Sequence, residues 1–220
     1  MGIMQMLTGN PELKEAIKGK TSEQAAIITY FFGGKGGCLG GSTMTDAQYD
    51  SLVQGKVKSL MLYARALDKL GLDREQVREI DPVCFSGWYH SGKKTYWRRG
   101  NDRVLRSSAY QVTWLFFSSS QVYCYQHLIN MDEDGKREDS QEYFYRDIVN
   151  FSTTTEAVEY MQRVGGGCMK EPEVKRFTDD ADVFRLVVPG DKFTCAYTQS
   201  DAVTRSIRAM QQKLREKKEG

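Results

Sequence analysis

The chain has 220 residues, 40% of them hydrophobic and 27% charged, which is enough apolar material to bury a core in one domain or two. Its 31 basic and 29 acidic residues leave a formal net charge of +2, so no overall charge draws it to nucleic acid or to an anionic membrane. The start lacks a basic, apolar leader, and no run approaches the roughly 18 apolar residues of a spanning helix. We therefore expect a cytoplasmic protein of bacterial or phage type without a transmembrane segment.

Residues 1–81 are predicted to form a helical region. Capping boxes, in which a threonine is followed three residues later by a glutamine, start helices at Thr21 and Thr45. The helix from Thr45 should be the longest, because apolar residues recur at three- and four-residue steps as far as Leu70. A further short helix is predicted over residues 73–80.

Glycines are concentrated in residues 33–43, between two of these helices. A phosphate-binding loop needs Gly-Lys followed directly by Ser or Thr after a buried strand, because backbone amides and the lysine wrap the phosphates. Here Lys35 is followed by Gly36, and the segment before it is helix-like. The composition therefore favours a linker over a nucleotide site.

The cysteines and histidines do not indicate a metal site or a disulfide framework. Five widely spaced cysteines without a CxxC pair favour reduced thiols. His90 and His127 are the only imidazoles, and neither stands at a metal-ligand spacing from a cysteine. Cys168, after three glycines, would need one of them as a base, so we interpret it as a loop thiol. The sequence predicts no catalytic residue, no metal and no cofactor.

A basic, aromatic segment follows residue 82, where the periodicity changes from helix-like to strand-like. We place a boundary there between a helical region, 1–81, and an antiparallel β domain, 82–220. The candidate ligand-binding residues are Lys93, Lys94, Trp97, Arg98, Arg99, Arg103 and Arg106. Cations interleaved with aromatic rings are typical of a surface that binds phosphates or stacks on bases. The alternative is a solvated edge strand whose charges discourage association between sheets.

Residues 109–131 are predicted to be two strands joined by a serine turn. Both faces of this hairpin are apolar, so we expect it at the centre of a curved sheet with other elements covering both sides. Asp134 and Gly135 indicate a second hairpin turn, in an acidic loop that leads to a third strand over residues 142–153. A short helix is predicted over residues 153–164.

The C-terminal part is predicted to end in a hairpin and a helix. Strands over residues 183–188 and 193–198 are joined by Pro189 and Gly190, as in a type II turn. Asp201 begins an amphipathic helix, and its predicted inner line is Val203, Ile207, Met210 and Leu214. The predicted class is α+β: an N-terminal helical region, then a curved antiparallel sheet or partly open barrel of about six to seven strands, capped by the C-terminal helix.

This order of elements resembles the bacterial pleckstrin-homology-like domains over residues 96–217. The resemblance is carried by residues 145–148, Tyr-Arg-Asp-Ile, which match an aromatic-x-Asp-Ile strand motif, and by the hairpin over residues 184–197 before the last helix. Such domains are small curved sheets plugged at one opening by a C-terminal helix. They bind lipids, peptides or other proteins, so the resemblance implies a binding or scaffolding module rather than an enzyme.

Two functions follow from these patterns. The first is a binding module that uses its sheet and helical region to engage a protein partner or its own copies. The second is binding of a phosphorylated ligand, whether nucleic acid, a nucleotide or an anionic lipid headgroup, through the basic aromatic segment over residues 93–106.

Overall fold

The computed structural model describes residues 11–32, 44–75, 77, 80–90, 95–164 and 173–219. These residues form five α-helices and nine β-strands, so the predicted α+β class is confirmed. The helices are α1 (Pro11–Ala16), α2 (Ser22–Phe32), α3 (Asp46–Ser59), α4 (Leu62–Leu70) and α5 (Asp201–Glu219), and a 3-10 helix covers Tyr145–Asp147. The strands are β1 (Ile80–Trp88), β2 (Trp97–Arg99), β3 (Leu105–Ser107), β4 (Ala109–Phe117), β5 (Gln121–Asn130), β6 (Lys136–Phe144), β7 (Asn150–Val164), β8 (Glu173–Val188) and β9 (Asp191–Ala196).

Capping residues start the N-terminal helices as predicted. The Gln24 N–H donates to Thr21 Oγ1 at 3.2 Å, and the Thr21 N–H donates to Gln24 Oε1 at 3.1 Å. Thr45 and Gln48 make the same reciprocal pair before α3. The prediction of one long helix from Thr45 is wrong, because the helix breaks at Met61, which adopts φ 44° and ψ 46°. This left-handed residue separates α3 from α4.

The helix predicted over residues 73–80 is wrong as well. The described residues 73–75 and 77 are turn and coil, and Ile80 is the first residue of β1. Pro82, which has no N–H to donate, is tolerated in this strand because β1 lies at the edge of its sheet and its register shifts between Ile80 and Val83.

The central antiparallel sheet has the strand order β1-β4-β5-β6. The β4–β5 hairpin pairs in unbroken register along its whole length and occupies the two middle positions, as predicted. Its turn, residues 118–120, is the predicted serine turn. Residues 131–135 join β5 to β6, which confirms the second predicted hairpin.

The two faces of the central sheet bury separate hydrophobic cores. On one face α2, α3 and α4 pack on β4 and β5, and Tyr49 and Tyr125 are fully buried there. On the other face the sheet β7-β8-β9 and α5 pack against β1, β4 and β5, where Leu115 and Phe184 are fully buried. The central sheet therefore lies between a helical layer and a second sheet. The helical layer shares a core with the sheet, and the division into two domains at residue 82 stays a prediction.

The C-terminal helix covers the second core as predicted. Ile207, Met210 and Leu214 of α5 are buried, and Val203 packs partly buried beside them. Gln211 Nε2 donates to the Phe151 carbonyl at 3.3 Å and ties the helix to the start of β7. Among the helices of the described residues, none has the length and apolar character needed to cross a membrane.

The largest departure from the prediction lies between β5 and β9. Much of the predicted acidic loop belongs to β6, the strand motif at Tyr145–Asp147 is a 3-10 helix, and the helix predicted over residues 153–164 is part of β7. β8 begins at Glu173, well before the predicted residue 183. The extra strands raise the count above the predicted six to seven. β7 forms a strand because β8 provides a partner along its whole length, and this pairing outweighs the local helical pattern.

β7 and β8 pair in regular register, from Asn150 opposite Val187 to Val164 opposite Glu173. β9 pairs only with residues 183–188 of β8. The remaining part, residues 156–164 with 173–181, is a two-stranded ribbon about 30 Å long at about 3.3 Å per residue. We refer to this ribbon as the arm.

Candidate functional site

The structure divides the predicted ligand-binding segment among different environments. Lys93 and Lys94 lie outside the described residues, as does the glycine-rich segment 33–43. Trp97, Arg98 and Arg99 form β2, Arg106 lies on β3, and Arg103 lies in the turn between these strands. β2 and β3 pair with each other, and Arg98 lies opposite Arg106 in this hairpin. The arginines of the segment nevertheless have different surroundings.

Arg106 is buried and held by two carboxylates. Its side chain is 3% exposed, and its Nε and Nη2 each donate to an Asp50 oxygen at 2.7 Å. Nη1 and Nη2 also donate to Asp102 at 2.9 and 2.6 Å. Hydrogen bonds to Asp102 and Asp50 raise the pKa of Arg106, and the bond from Arg106 lowers the pKa of Asp102 to about 2. The charge of Arg106 is therefore neutralised within the fold.

Arg98 also has internal partners. Its guanidinium carbon lies 4.6 Å from the centre of the Tyr30 ring, and its Nη1 donates to the Tyr30 carbonyl. The Tyr30 hydroxyl donates to Asp46 at 2.9 Å, and burial together with this bond raises the pKa of Tyr30. Asp46 also accepts the Asn101 N–H at 2.9 Å. These contacts fix the β2–β3 hairpin against α2 and α3.

The other described residues of the segment face the arm or solvent. The Trp97 ring packs edge-on against Tyr160 of β7, with ring centres 6.4 Å apart. Arg99 Nε lies 3.3 Å from Asp179 Oδ2 on β8. Arg103 is exposed and has a left-handed φ of 66°. Trp97 and Arg99 of β2 thus contact the arm, and the segment does not form one continuous cationic surface. We refer to these two residues as the seat of the arm.

Trp97 and Arg99 contact the inner face of the arm at Tyr160, Gln162 and Asp179. The Arg99 N–H donates to Gln162 Oε1 at 3.2 Å, and Gln162 Nε2 donates back to the Arg99 carbonyl at 3.4 Å. Tyr160, only 4% exposed, stacks on Phe177 of β8 with ring centres 5.6 Å apart. These contacts attach the arm to β2 through residues 160–162 of β7 and Asp179 of β8.

The opposite face of the arm is open. Its exposed residues are Ala157, Glu159 and Met161 on β7 and Val174, Arg176, Thr178 and Asp180 on β8. Met161 and Val174 are 57% and 49% exposed, which is unusual for large apolar side chains in a well-packed fold. This face offers both apolar and charged groups to solvent.

The β8 edge of the arm is open as well. In the part of the chain that the structure describes, β8 has no strand on its outer side before residue 183, where β9 begins to pair. The Tyr197 N–H donates to the Asp182 carbonyl at 3.2 Å from that outer side. Because N–H and C=O groups alternate between the two sides of an antiparallel strand, residues 174, 176, 178 and 180 direct theirs to the free edge. Such an edge is a template for pairing with another chain.

His127 is buried in the core of the central sheet and lies within reach of two polar groups. It is 3% exposed, and its Nδ1 lies 3.3 Å from both the Tyr125 hydroxyl and Glu138 Oε1. Arg65 of α4 pairs with the same Glu138 oxygen at 2.5 Å. The cluster joins α4 to β5 and β6.

The described thiols are poor nucleophiles. Burial raises the pKa of Cys84 to about 11 and also raises those of Cys124 and Cys195, which disfavours their thiolates. Burial lowers the pKa of His90. Cys168 lies outside the described residues, so its interpretation as a loop thiol stays a prediction. Within the described residues, no cluster of three or more His, Cys, Asp or Glu side chains could hold a metal ion.

The arm differs from the helix that the sequence predicts over residues 153–164. Residues 153–155 are all threonine, and Val158 and Tyr160 follow at strand spacing, so a period of two was present in the sequence. Ala157 and Met161 also fit a helical stripe with Tyr160, and this stripe predicts a helix instead. The β-branched threonines were the signal that favoured a strand.

Comparisons with known proteins return no match to this chain, whether among family models, curated proteins or solved structures. The resemblance to pleckstrin-homology-like domains therefore stays a prediction. Function has to be inferred from the geometry of the surface itself.

Proposed function

We propose that this chain is a non-enzymatic interaction module that engages a protein partner or a second copy of itself, and that the arm presents the binding surface. The observation that carries the proposal is the β8 edge over residues 173–181, which has no partner strand among the described residues, beside the exposed face of the same ribbon. Addition of a strand to such an edge is a common mode of recognition, in which main-chain hydrogen bonds give affinity and side chains give specificity.

The way in which the arm is held supports this role. A two-stranded ribbon is only marginally stable in isolation. Here Trp97 and Arg99 of β2 contact its inner face, and the pair of Arg106 with Asp50 anchors the hairpin that contains β2. The edge is therefore displayed in a fixed position, which lowers the conformational entropy lost when a partner binds.

The geometry gives less support to a phosphorylated ligand. Arg98 and Arg106 have internal partners, and Arg99 pairs with Asp179 of the arm. That hypothesis depends on Arg103 among the described residues and on the lysines of residues 93–94. We therefore propose the interaction module as the function.

A variant of the edge tests the proposal. Thr178→Pro removes an N–H that points away from β7, so the β7–β8 ladder keeps its bonds while the free edge loses a donor. Thr178→Val keeps the N–H and the β-branched shape and serves as the control. We expect the full chain to self-associate in sedimentation velocity or, when used as bait, to recover a specific protein. Thr178→Pro should abolish this binding, and Thr178→Val should retain it. If the chain neither self-associates nor recovers a specific protein, the proposal is refuted. Binding that is unchanged in Thr178→Pro refutes it as well.

A further inference from the structure

We infer that the occupant of the free β8 edge is a second copy of this chain, paired antiparallel about a two-fold axis at Thr178. The inference rests on the proposed function and specifies its partner. A closed two-fold dimer uses the same surface on both copies, so the edge has to be complementary to itself. Both the backbone and the charges of β8 meet this condition.

The backbone restricts the possible registers. The outward N–H and C=O groups belong to even-numbered residues, so each even residue must face an even residue of the second copy. With Thr178 on the axis, Thr178 faces its own counterpart, Arg176 faces Asp180 of the second copy, and Asp180 faces Arg176. All of these residues precede residue 183, where β9 begins to pair, and no other described strand pairs with that side of β8.

The charges select this register. The side chains of Arg176 and Glu159 are 72% and 65% exposed and lie 3.7 Å apart. A solvated ion pair of this kind contributes little to stability, so Arg176 can pair with another carboxylate. Asp180 is also exposed on the same face. Pairing about Thr178 therefore places a guanidinium directly opposite a carboxylate twice, on either side of the axis, where opposite charges stabilise a strand pair.

Neighbouring registers are less favourable. An axis at residue 177 places Arg176 opposite Thr178 and Asp180 opposite Val174, so neither charge faces an opposite one, and an axis at residue 180 places two Asp180 carboxylates together. An axis at residue 179 would place Arg176 opposite Asp182, whose carboxylate already accepts the Thr155 hydroxyl at 2.9 Å and whose carbonyl accepts the Tyr197 N–H.

The Thr178 register also matches the length of the edge. It pairs residues 176–180 of one copy with the same residues of the other, and all of them precede Asp182, whose carbonyl accepts the Tyr197 N–H, and residue 183, where β9 begins to pair. The overlap therefore uses the open edge without displacing β9. The two arms then form one continuous sheet across the axis.

Charge exchange tests the pairing. Arg176→Asp and Asp180→Arg each place like charges opposite one another at both symmetry-related positions, so each should raise the dimer dissociation constant by at least about tenfold. The double variant restores opposite charges and should recover dimerisation. Arg205→Asp on the exposed face of α5 changes charge equally and is the control. The readout is sedimentation equilibrium of the full chain over a range of concentrations.

Cross-linking tests the position of the axis. Residues that face each other in a hydrogen-bonded antiparallel pair have Cα atoms about 5.5 Å apart, within reach of a disulfide. Thr178→Cys should therefore give a covalent dimer under mild oxidation. Ala157→Cys lies on the same face but on β7, so its counterparts would be at least about 14 Å apart and should not cross-link. The wild-type chain provides the background from the native cysteines.

The outcomes separate this inference from the proposed function. A wild-type dimer that both single charge variants weaken, that the double variant restores and that Thr178→Cys captures supports the register. A dimer that is unaffected by the charge variants, or no cross-link at residue 178, overturns it. A monomeric chain that recovers a different protein, with recovery lost in Thr178→Pro, overturns the self-pairing while the proposed function stands. If Thr178→Pro changes neither association nor recovery, both are refuted.

Discussion

The Arg106 guanidinium and the Asp50 carboxylate form a two-pronged pair between β3 and α3, with each of two nitrogens 2.7 Å from a different oxygen. Asp102, in the turn before β3, binds the same guanidinium. Because β3 pairs with β2, and β2 carries the seat of the arm, this pair connects the helical layer to the arm through a single hairpin. Removing this pair should therefore lower the free energy of unfolding of the whole chain.

Arg106→Lys should destabilise the protein. A lysine keeps the positive charge but cannot reproduce the two parallel hydrogen bonds to Asp50, and the site is buried. We expect the free energy of unfolding in urea to fall by about 2 kcal/mol. Arg103→Lys, at an exposed position in the same hairpin, should change it by less than about 0.5 kcal/mol. An Arg106→Lys variant with wild-type stability would show that the pair does not support the hairpin.

Asp102 should make part of the stability sensitive to acid. Its pKa is about 2 in the folded chain, because Arg106 donates to it, and near 4 for an ordinary aspartate. The contribution of the carboxylate is therefore fully present above about pH 4 and is lost as the pH falls towards 2. Asp102→Asn should flatten the decrease in unfolding free energy over this interval, by a small amount because the side chain is 47% exposed.

Glu142→Gln, an exposed carboxylate on β6, is the control for this pH dependence. It should follow the wild-type curve, measured by urea denaturation at each pH. Identical pH dependence in Asp102→Asn and wild type would contradict the assignment.

The elements that the sequence predicted correctly have local signals. Thr21 and Thr45 each cap a helix through a residue three positions away, so the whole contact lies within one short stretch of sequence. The β4–β5 hairpin is equally local, and its two apolar faces required covering layers on both sides. These patterns are sufficient to place most helices and the centre of the fold.

The candidate site could not be predicted in the same way, because its contacts are between residues far apart in the chain. Arg98 and Arg106 stand in one basic segment of the sequence, but their partners Tyr30 and Asp50 are 68 and 56 residues away. No local pattern shows that a carboxylate will neutralise a given arginine. The arm was missed for the related reason that residues 153–164 fit both periods, and only pairing with β8 decides between them.

Gly87 should not tolerate a larger side chain. A Cβ at this position of β1 would lie 3.0 Å from backbone atoms of Tyr197, and backbone cannot move aside as a flexible side chain can. We expect Gly87→Ala to lower the free energy of unfolding by about 1–3 kcal/mol. Gly55→Ala, in α3 with no neighbour within 4 Å, should instead raise it by about 0.5–1 kcal/mol. Thermal and urea unfolding of both variants checks these opposite signs.

Met61 is the position where a glycine should improve stability. Its left-handed backbone is unfavourable for a residue with a Cβ, and its side chain is 73% exposed, so little packing would be lost. Met61→Gly should stabilise the chain by about 0.5 kcal/mol. Met161→Gly, at a similarly exposed methionine in an ordinary strand, should destabilise it by about 0.5–1 kcal/mol. Destabilisation by both changes would contradict the role given to the backbone at Met61.

Amide hydrogen exchange along β8 tests most directly the claim that the free edge is the interaction surface. The N–H groups of Arg176 and Thr178 point away from β7, whereas those of the odd-numbered residues beside them pair with it. The Asp180 N–H already donates to Asp179 Oδ1 at 3.1 Å and is left out of the comparison. In dilute solution the Arg176 and Thr178 amides should exchange quickly and their odd-numbered neighbours slowly. Raising the protein concentration should protect these two edge amides as the second copy pairs with them. Fast exchange of these amides at every concentration would contradict the account.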